Sequence, residues 1–166
     1  MTSVGTSGAI LYSILTKDDS QQTAATEDKP VEEQTTPKEG SLEGTKLEGF
    51  TPVEQVDKLV ITDITVGTGT EVKKGDTVTA HYTGALAKDG TIFQSSLDSG
   101  QPATFPLSGV IVGWQEGVPG MKAGGTRRLL IPAAQAYGEQ SPAANIPPNS
   151  DLVFDIQLIS VGEPAQ

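Results

Sequence analysis

VIVGWQEGVPGM, residues 110–121, is the stretch around which the rest of the chain is read. Ile111, Trp114, Gln115 and Val118 fall on one face at helical spacing, and Pro119-Gly120 ends the run. It is the only helical candidate of weight. On either side the pattern is of strands separated by turns. LVITDITV (59–66) alternates apolar and polar residues and closes on Gly67-Thr68-Gly69. Lys73-Lys74-Gly75-Asp76 makes a turn before TVTAHYTGAL (77–86), and Lys88-Asp89-Gly90 makes a hairpin turn into TIFQSS (91–96). ATFPL (103–107) sits among Pro102 and Pro106, which confine it to a sheet edge or a bulge. Beyond the helix come GTRRLLIP (125–132), a Pro-, Ala- and Asn-rich loop to Asn149, and a closing strand LVFDIQLISV (152–161). Many strands and one short helix give an α+β domain, an antiparallel sheet with a helix packed on one face.

The chain has 166 residues, enough for one domain and a tail. Its net charge of −10 is unevenly spread: residues 1–55 carry ten acids against four lysines, and the remainder eleven acids against seven basic residues. Neither part has the basic stripe that phosphate neutralisation needs, which argues against nucleic acid and against an anionic membrane surface as partners. With no cysteine there is no disulfide framework, thiolate metal site or cysteine nucleophile, and the single histidine, His81, is too few for a His-based zinc site. Any enzyme here works without a metal or other cofactor.

Residues 1–16 hold an apolar core from Ala9 to Leu15, too short to span a bilayer and without a basic region before it. Two readings stand: a fortuitous apolar start, or the end of a membrane anchor whose beginning lies outside this chain. The second would tether the domain outside the cytoplasm, and the first leaves a cytoplasmic location open. Residues 17–55 are rich in Glu, Thr, Gln, Lys and Pro, and are read as a disordered acidic linker that cannot bury enough apolar surface to offset its ordering entropy. The ordered domain is expected over 56–162, with a short tail at 163–166.

Seven blocks of the domain resemble the FKBP-type peptidyl-prolyl cis–trans isomerases, in the family's order. They are HYTG (81–84), TIFQSS (91–96), VIVGWQEGV (110–118), GGTRRLLIP (124–132), AYG (136–138), IPPN (146–149) and LVFDIQL (152–158). The resemblance implies a curved antiparallel sheet of five to six strands wrapped around one short helix, with a proline-binding pocket between them. By position, Tyr82, Phe93, Gln94, Val110, Ile146 and Phe154 would bind substrate. Trp114 would form the floor under the proline ring, while the Ile111 N–H and the Tyr137 hydroxyl would each meet a substrate carbonyl. The implied partners are Pro-containing polypeptides and, weakly, macrolides of the rapamycin type, with the chain acting as a monomer. The alternative is a non-catalytic module that holds Pro-containing segments as a chaperone or scaffold. A tethered accessory domain whose tail binds the partner is a third reading.

The residue types suit that chemistry. Rotating a peptide bond costs about 18–20 kcal/mol because resonance must be broken, while the two X–Pro ground states differ by only about 0.5–1 kcal/mol. A catalyst therefore has only to favour the twisted amide, which has lost charge separation and prefers a dry apolar site. Six aromatics, Tyr82, Phe93, Phe105, Trp114, Tyr137 and Phe154, supply such walls, and no general acid or base is needed. Taken singly, each of them reads more readily as core packing than as a ligand contact. His81 reads as structural, Arg127-Arg128 as a solvated strand face, and Gly124-Gly125 as a turn. Several positions depart from the best-known members: Gln94 replaces an Asp, Ser99 its basic partner, and Ala103 an aromatic, while Pro142 and Asn145 stand where His and Ile are frequent. These changes bear on macrolide affinity more than on isomerisation.

Overall fold

The computed structural model describes residues 40–162, all within one compact unit, Pro37–Gln166. The expectations for residues 1–39 and 163–166 lie outside the described residues. Among the described residues, six strands and one α-helix are arranged in the order β1 (Val60–Thr65), β2 (Thr77–Leu86), β3 (Ile92–Ser95), β4 (Ala103–Pro106), α1 (Val112–Gly117), β5 (Thr126–Ile131) and β6 (Leu152–Gly162). All pairings are antiparallel, in the order β1-β5-β6-β2-β3, with β4 alongside the first half of β2. The expected architecture, an antiparallel sheet carrying one short helix, is the one observed.

Period-two alternation buries one face in some strands but not in all: β1 is exposed along its whole length. In β5 the alternation is strict, with Arg127, Leu129 and Ile131 buried and their neighbours half-buried. Val78 and Ala80 of β2 and Phe154, Ile156 and Leu158 of β6 point to the same side, where they close a core with Trp114 of α1 and Val118 at its C-terminal end. The β2–β6 ladder shifts register between Thr79 and Ala80, a bulge of the kind that bends a strand and increases its twist. As the prolines predicted, β4 is an edge strand, paired to β2 alone.

The helix is shorter than its sequence pattern. Val110 and Ile111 are extended, with ψ of 172° and 152°, so that α1 begins at Val112. It lies unusually close to β5 because Gly113 and Gly117, one turn apart, face that strand. A Cβ on Gly117 would stand 2.7 Å from the Leu129 side chain, and one on Gly113 would run into Ile131.

The structure corrects two expectations. Arg127 is not on a solvated face: it is only 8 % exposed, and its guanidinium donates to Asp63 and to the carbonyl oxygens of Gly117 (2.8 Å) and Pro119 (3.2 Å). The last carbonyls of a helix lack intrahelical donors and form the negative end of its dipole, so a buried cation is well placed there. Arg128 is likewise engaged, in a two-pronged ion pair with Asp155 (2.6 and 2.7 Å). Order also begins before Val56. Leu42, Leu47 and Phe50 cover Ala85, Ile92 and Val153 on the sheet face opposite the helix. Backbone bonds from Gly44 to Ile92 and from Ile92 to Thr45, both 2.8 Å, lay this segment along the edge of β3. Residues 40–55 contain just enough apolar side chains for a face that is already built, too few to register as a periodic pattern.

Candidate active site

Trp114 projects from α1 into the core and is 4 % exposed. Three rings meet it edge to face: Phe105 at 5.4 Å between centroids, Phe154 at 5.4 Å and Tyr82 at 5.8 Å. Phe93 packs on Phe154 in the same manner at 5.7 Å. Edge-to-face contact sets the positive rim of one ring against the negative face of another, which fixes the set as a rigid wall. The rings come from β2, β3, β4, α1 and β6, so only the closed sheet brings them together.

Above them lies a cavity of about 290 Å³ lined by Tyr82, Phe93, Gln94, Phe105, Gly109, Val110, Ile111, Trp114, Tyr137 and Phe154. Eight of the nine residues expected at the site from sequence are in this lining. The ninth, Ile146, is buried in the same core without lining the cavity. Phe105, expected beside the pocket, forms part of its wall, and Gly109 was not anticipated; its backbone enters because the turn Leu107–Gly109 leads into the helix start.

The polar atoms facing this cavity are few. Ile111 precedes the first helical residue, and its N–H makes no backbone hydrogen bond among the described residues. The Val110 carbonyl is occupied, accepting from the Gln115 side chain at 2.7 Å. Tyr137 is 36 % exposed, and its hydroxyl makes no hydrogen bond to a described residue. Burial pushes the Tyr82 hydroxyl above its ordinary value of 10.0, and the neighbouring Tyr137 raises it further. Tyr82 is thus a neutral donor at neutral pH. The Trp114 Nε1–H is buried without a partner among the described residues. The lining contains no carboxylate, amine or imidazole, and its titratable groups are the phenols of Tyr82 and Tyr137.

His81 lies outside the lining and meets the Ser96 hydroxyl at 3.1 Å; the same hydroxyl accepts the Tyr82 N–H at 2.9 Å. This places His81 in the scaffold behind Tyr82. Beside the cavity, and sharing Tyr82 and Gln94 with it, is an open polar lobe of about 550 Å³ that extends past Ser99 and Ala103. Ser99 donates to the Ser96 carbonyl at 2.9 Å, closing a short turn instead of reaching towards position 94. Across the sheet, residues 42–48 and the outer face of β2 and β6 border a larger groove of about 650 Å³, floored by His81, Thr83 and Gln157.

Residues 68–159 match the family described as FKBP-type peptidyl-prolyl cis-trans isomerase. Over 100 residues the chain is 50 % identical to the FKBP-type isomerase FkpA of Aeromonas hydrophila, aligning with 60 % of this chain and 37 % of that one. It is 47 % identical to an FK506-binding protein of Neisseria meningitidis serogroup A over 107 residues, which are 63 % of this chain and 97 % of the relative. The crystal structure of FkpA from Escherichia coli superposes with a TM-score of 0.59 at 40 % identity, over 73 % of this chain and 55 % of the other. The chain therefore spans little more than a third of one relative and nearly all of another. It belongs to the FKBP-type peptidyl-prolyl cis–trans isomerases, enzymes that interconvert the two forms of X–Pro peptide bonds. The family binds proline-containing peptides and FK506-type macrolides.

Proposed function

We propose that the cavity over Trp114 is where this chain turns the X–Pro bond of flexible, incompletely folded polypeptides. The observation that carries this reading is the floor: one indole gripped edge-on by three rings, under a cavity whose lining holds no carboxylate, amine or imidazole. A proline ring lies on the indole face. Burial there removes water from the imide, and the twisted form, with less charge separation than either planar form, loses less by that removal. The Ile111 N–H donates to a substrate carbonyl and fixes one side of the bond. The Tyr137 hydroxyl donates to another carbonyl and holds the other side while rotation proceeds. No bond is broken and no proton changes owner.

Phe93, Phe154, Tyr82 and Val110 shape the walls, and Gln94 marks the exit towards the polar lobe. Ile146 supports the site from the core beneath. All of the lining comes from one chain, so a monomer suffices. The lobe left by Ala103 and Ser99 gives a macrolide fewer contacts than a walled site would, so binding of rapamycin-type ligands is weak. The test is acceleration of cis–trans exchange in short X–Pro peptides by the full chain. Exchange at the uncatalysed rate would reject the proposal.

A further inference from the structure

The segment along the β3 edge touches more than the back of the sheet. At its start the carboxylate of Asp98, in the turn after β3, accepts from the Ser41 hydroxyl (2.9 Å) and the Leu42 N–H (2.7 Å). One residue later, Glu43 accepts from the side-chain amide of Asn145 at 2.7 Å. The same amide nitrogen donates to the carbonyl oxygen of Phe93 at 2.9 Å. Asn145 lies in the loop that joins Tyr137 to β6. A single side chain thus ties that loop both to a wall residue of the cavity and to the N-terminal arm. It does so at a position where an aliphatic residue could make neither bond.

The tie acts on a loop that is already braced from within. Ile146, next to Asn145, is 5 % exposed in the core under the cavity, its N–H donates to Ala143, and its carbonyl accepts from the Ser141 hydroxyl (2.7 Å). The loop closes back on itself where the Asn149 N–H donates to the Gly138 carbonyl at 2.7 Å, next to Tyr137. Asn145 is the side-chain link between this braced loop and β3. Glu43 in turn sits between Leu42, held by Asp98, and Gly44, whose N–H donates to Ile92 at 2.8 Å. The backbone that carries the acceptor is therefore fixed before the amide reaches it, which limits the entropy lost in making the bond.

We infer that Asn145 and Glu43 are positioning residues of the isomerase site. By clamping the 137–150 loop to Phe93 and to the arm, they hold Tyr137 and Phe93 at the spacing that grips a proline-containing segment. The arm at residues 40–50 then belongs to the catalytic unit. The inference rests on the reading of the cavity as the isomerase site.

In the full chain, N145A removes both bonds and E43A removes one. Each should raise KM for X–Pro peptides by about two- to tenfold, the range expected for one lost hydrogen bond, with kcat close to native. Binding suffers because the loop is no longer preset, while the floor at Trp114 and the Ile111 N–H are untouched. E43Q keeps an acceptor oxygen and should restore the native KM, which a purely electrostatic effect of Glu43 would not allow. The double variant should be no worse than N145A alone, since both act through one link. Because Glu43 is exposed, E43A reports on the clamp even if N145A folds poorly. Native KM in both single variants, or losses that multiply in the double, would overturn the clamp while leaving the isomerase reading intact. A native chain without turnover would overturn both.

Discussion

Replacing Tyr137 by phenylalanine separates a substrate contact from a packing contact. The ring stays and only the hydroxyl goes. In the free protein that hydroxyl makes no bond to a described residue and the side chain is 36 % exposed, so no buried partner is stranded and the melting temperature should hold within a degree or so. In the complex the loss is one neutral hydrogen bond, about 0.5–1.5 kcal/mol net, which corresponds to a fall in kcat/KM of about two- to tenfold. If the bond strengthens as the amide twists, the fall is in kcat; if it is equal in the planar form, the rise is in KM. Exchange of short X–Pro peptides over a range of substrate concentrations distinguishes these. An internal check comes from Tyr82, whose titration is pushed up partly by Tyr137 and should move back towards 10.0 in the variant. Native kinetic constants in Tyr137→Phe would refute the role of the hydroxyl.

Trp114→Ala should lower both stability and turnover, because truncating a large buried aromatic costs about 3–5 kcal/mol; denaturant unfolding beside peptide exchange checks it, and native stability would show that Trp114 is not the keystone of the core. Gln94→Asp with Ala103→Phe should tighten macrolide binding at least about tenfold by walling the open lobe, with a smaller change in turnover; calorimetric titration and peptide exchange on the same samples decide. Arg127→Ala should destabilise by about 1–3 kcal/mol, chiefly by leaving the Gly117 and Pro119 carbonyls without their donor. Asp63, whose side chain is 44 % exposed, is reclaimed by water and adds little; an unchanged unfolding midpoint would remove Arg127 from its place at the helix end.

Much of the fold is legible because its signals are local. Alternation marks the strands, Gly-containing turns separate them, and Pro119-Gly120 stops the one helix. The extended backbone at Val110 and Ile111 is less so: their apolar side chains fit the helical stripe, yet they serve the cavity from a strand-like approach. Gly113 and Gly117 are weak helix formers whose value shows only when β5 lies against them. Arg127 reads as a surface cation until the helix end that it caps is in place. The arm at 40–55 is hidden by its composition, because its order comes from pairing with β3, some fifty residues away in sequence. Of the candidate site, the aromatic members other than Phe105 could be named from their positions in the seven blocks. Gly109 and the Asn145 clamp could not, since one contributes backbone and the other depends on a partner more than a hundred residues distant.

Trp114 is the only tryptophan in the chain, so its emission reports on the cavity floor alone. The direct test is to track that emission while titrating the full chain with an X–Pro peptide whose exchange rate is measured in the same samples. A proline ring laid on the indole should shift or quench the emission, with half-saturation at the peptide concentration that gives half-maximal catalysed exchange. Catalysed exchange that saturates while the tryptophan emission stays constant would place the reaction elsewhere on the protein and contradict the account.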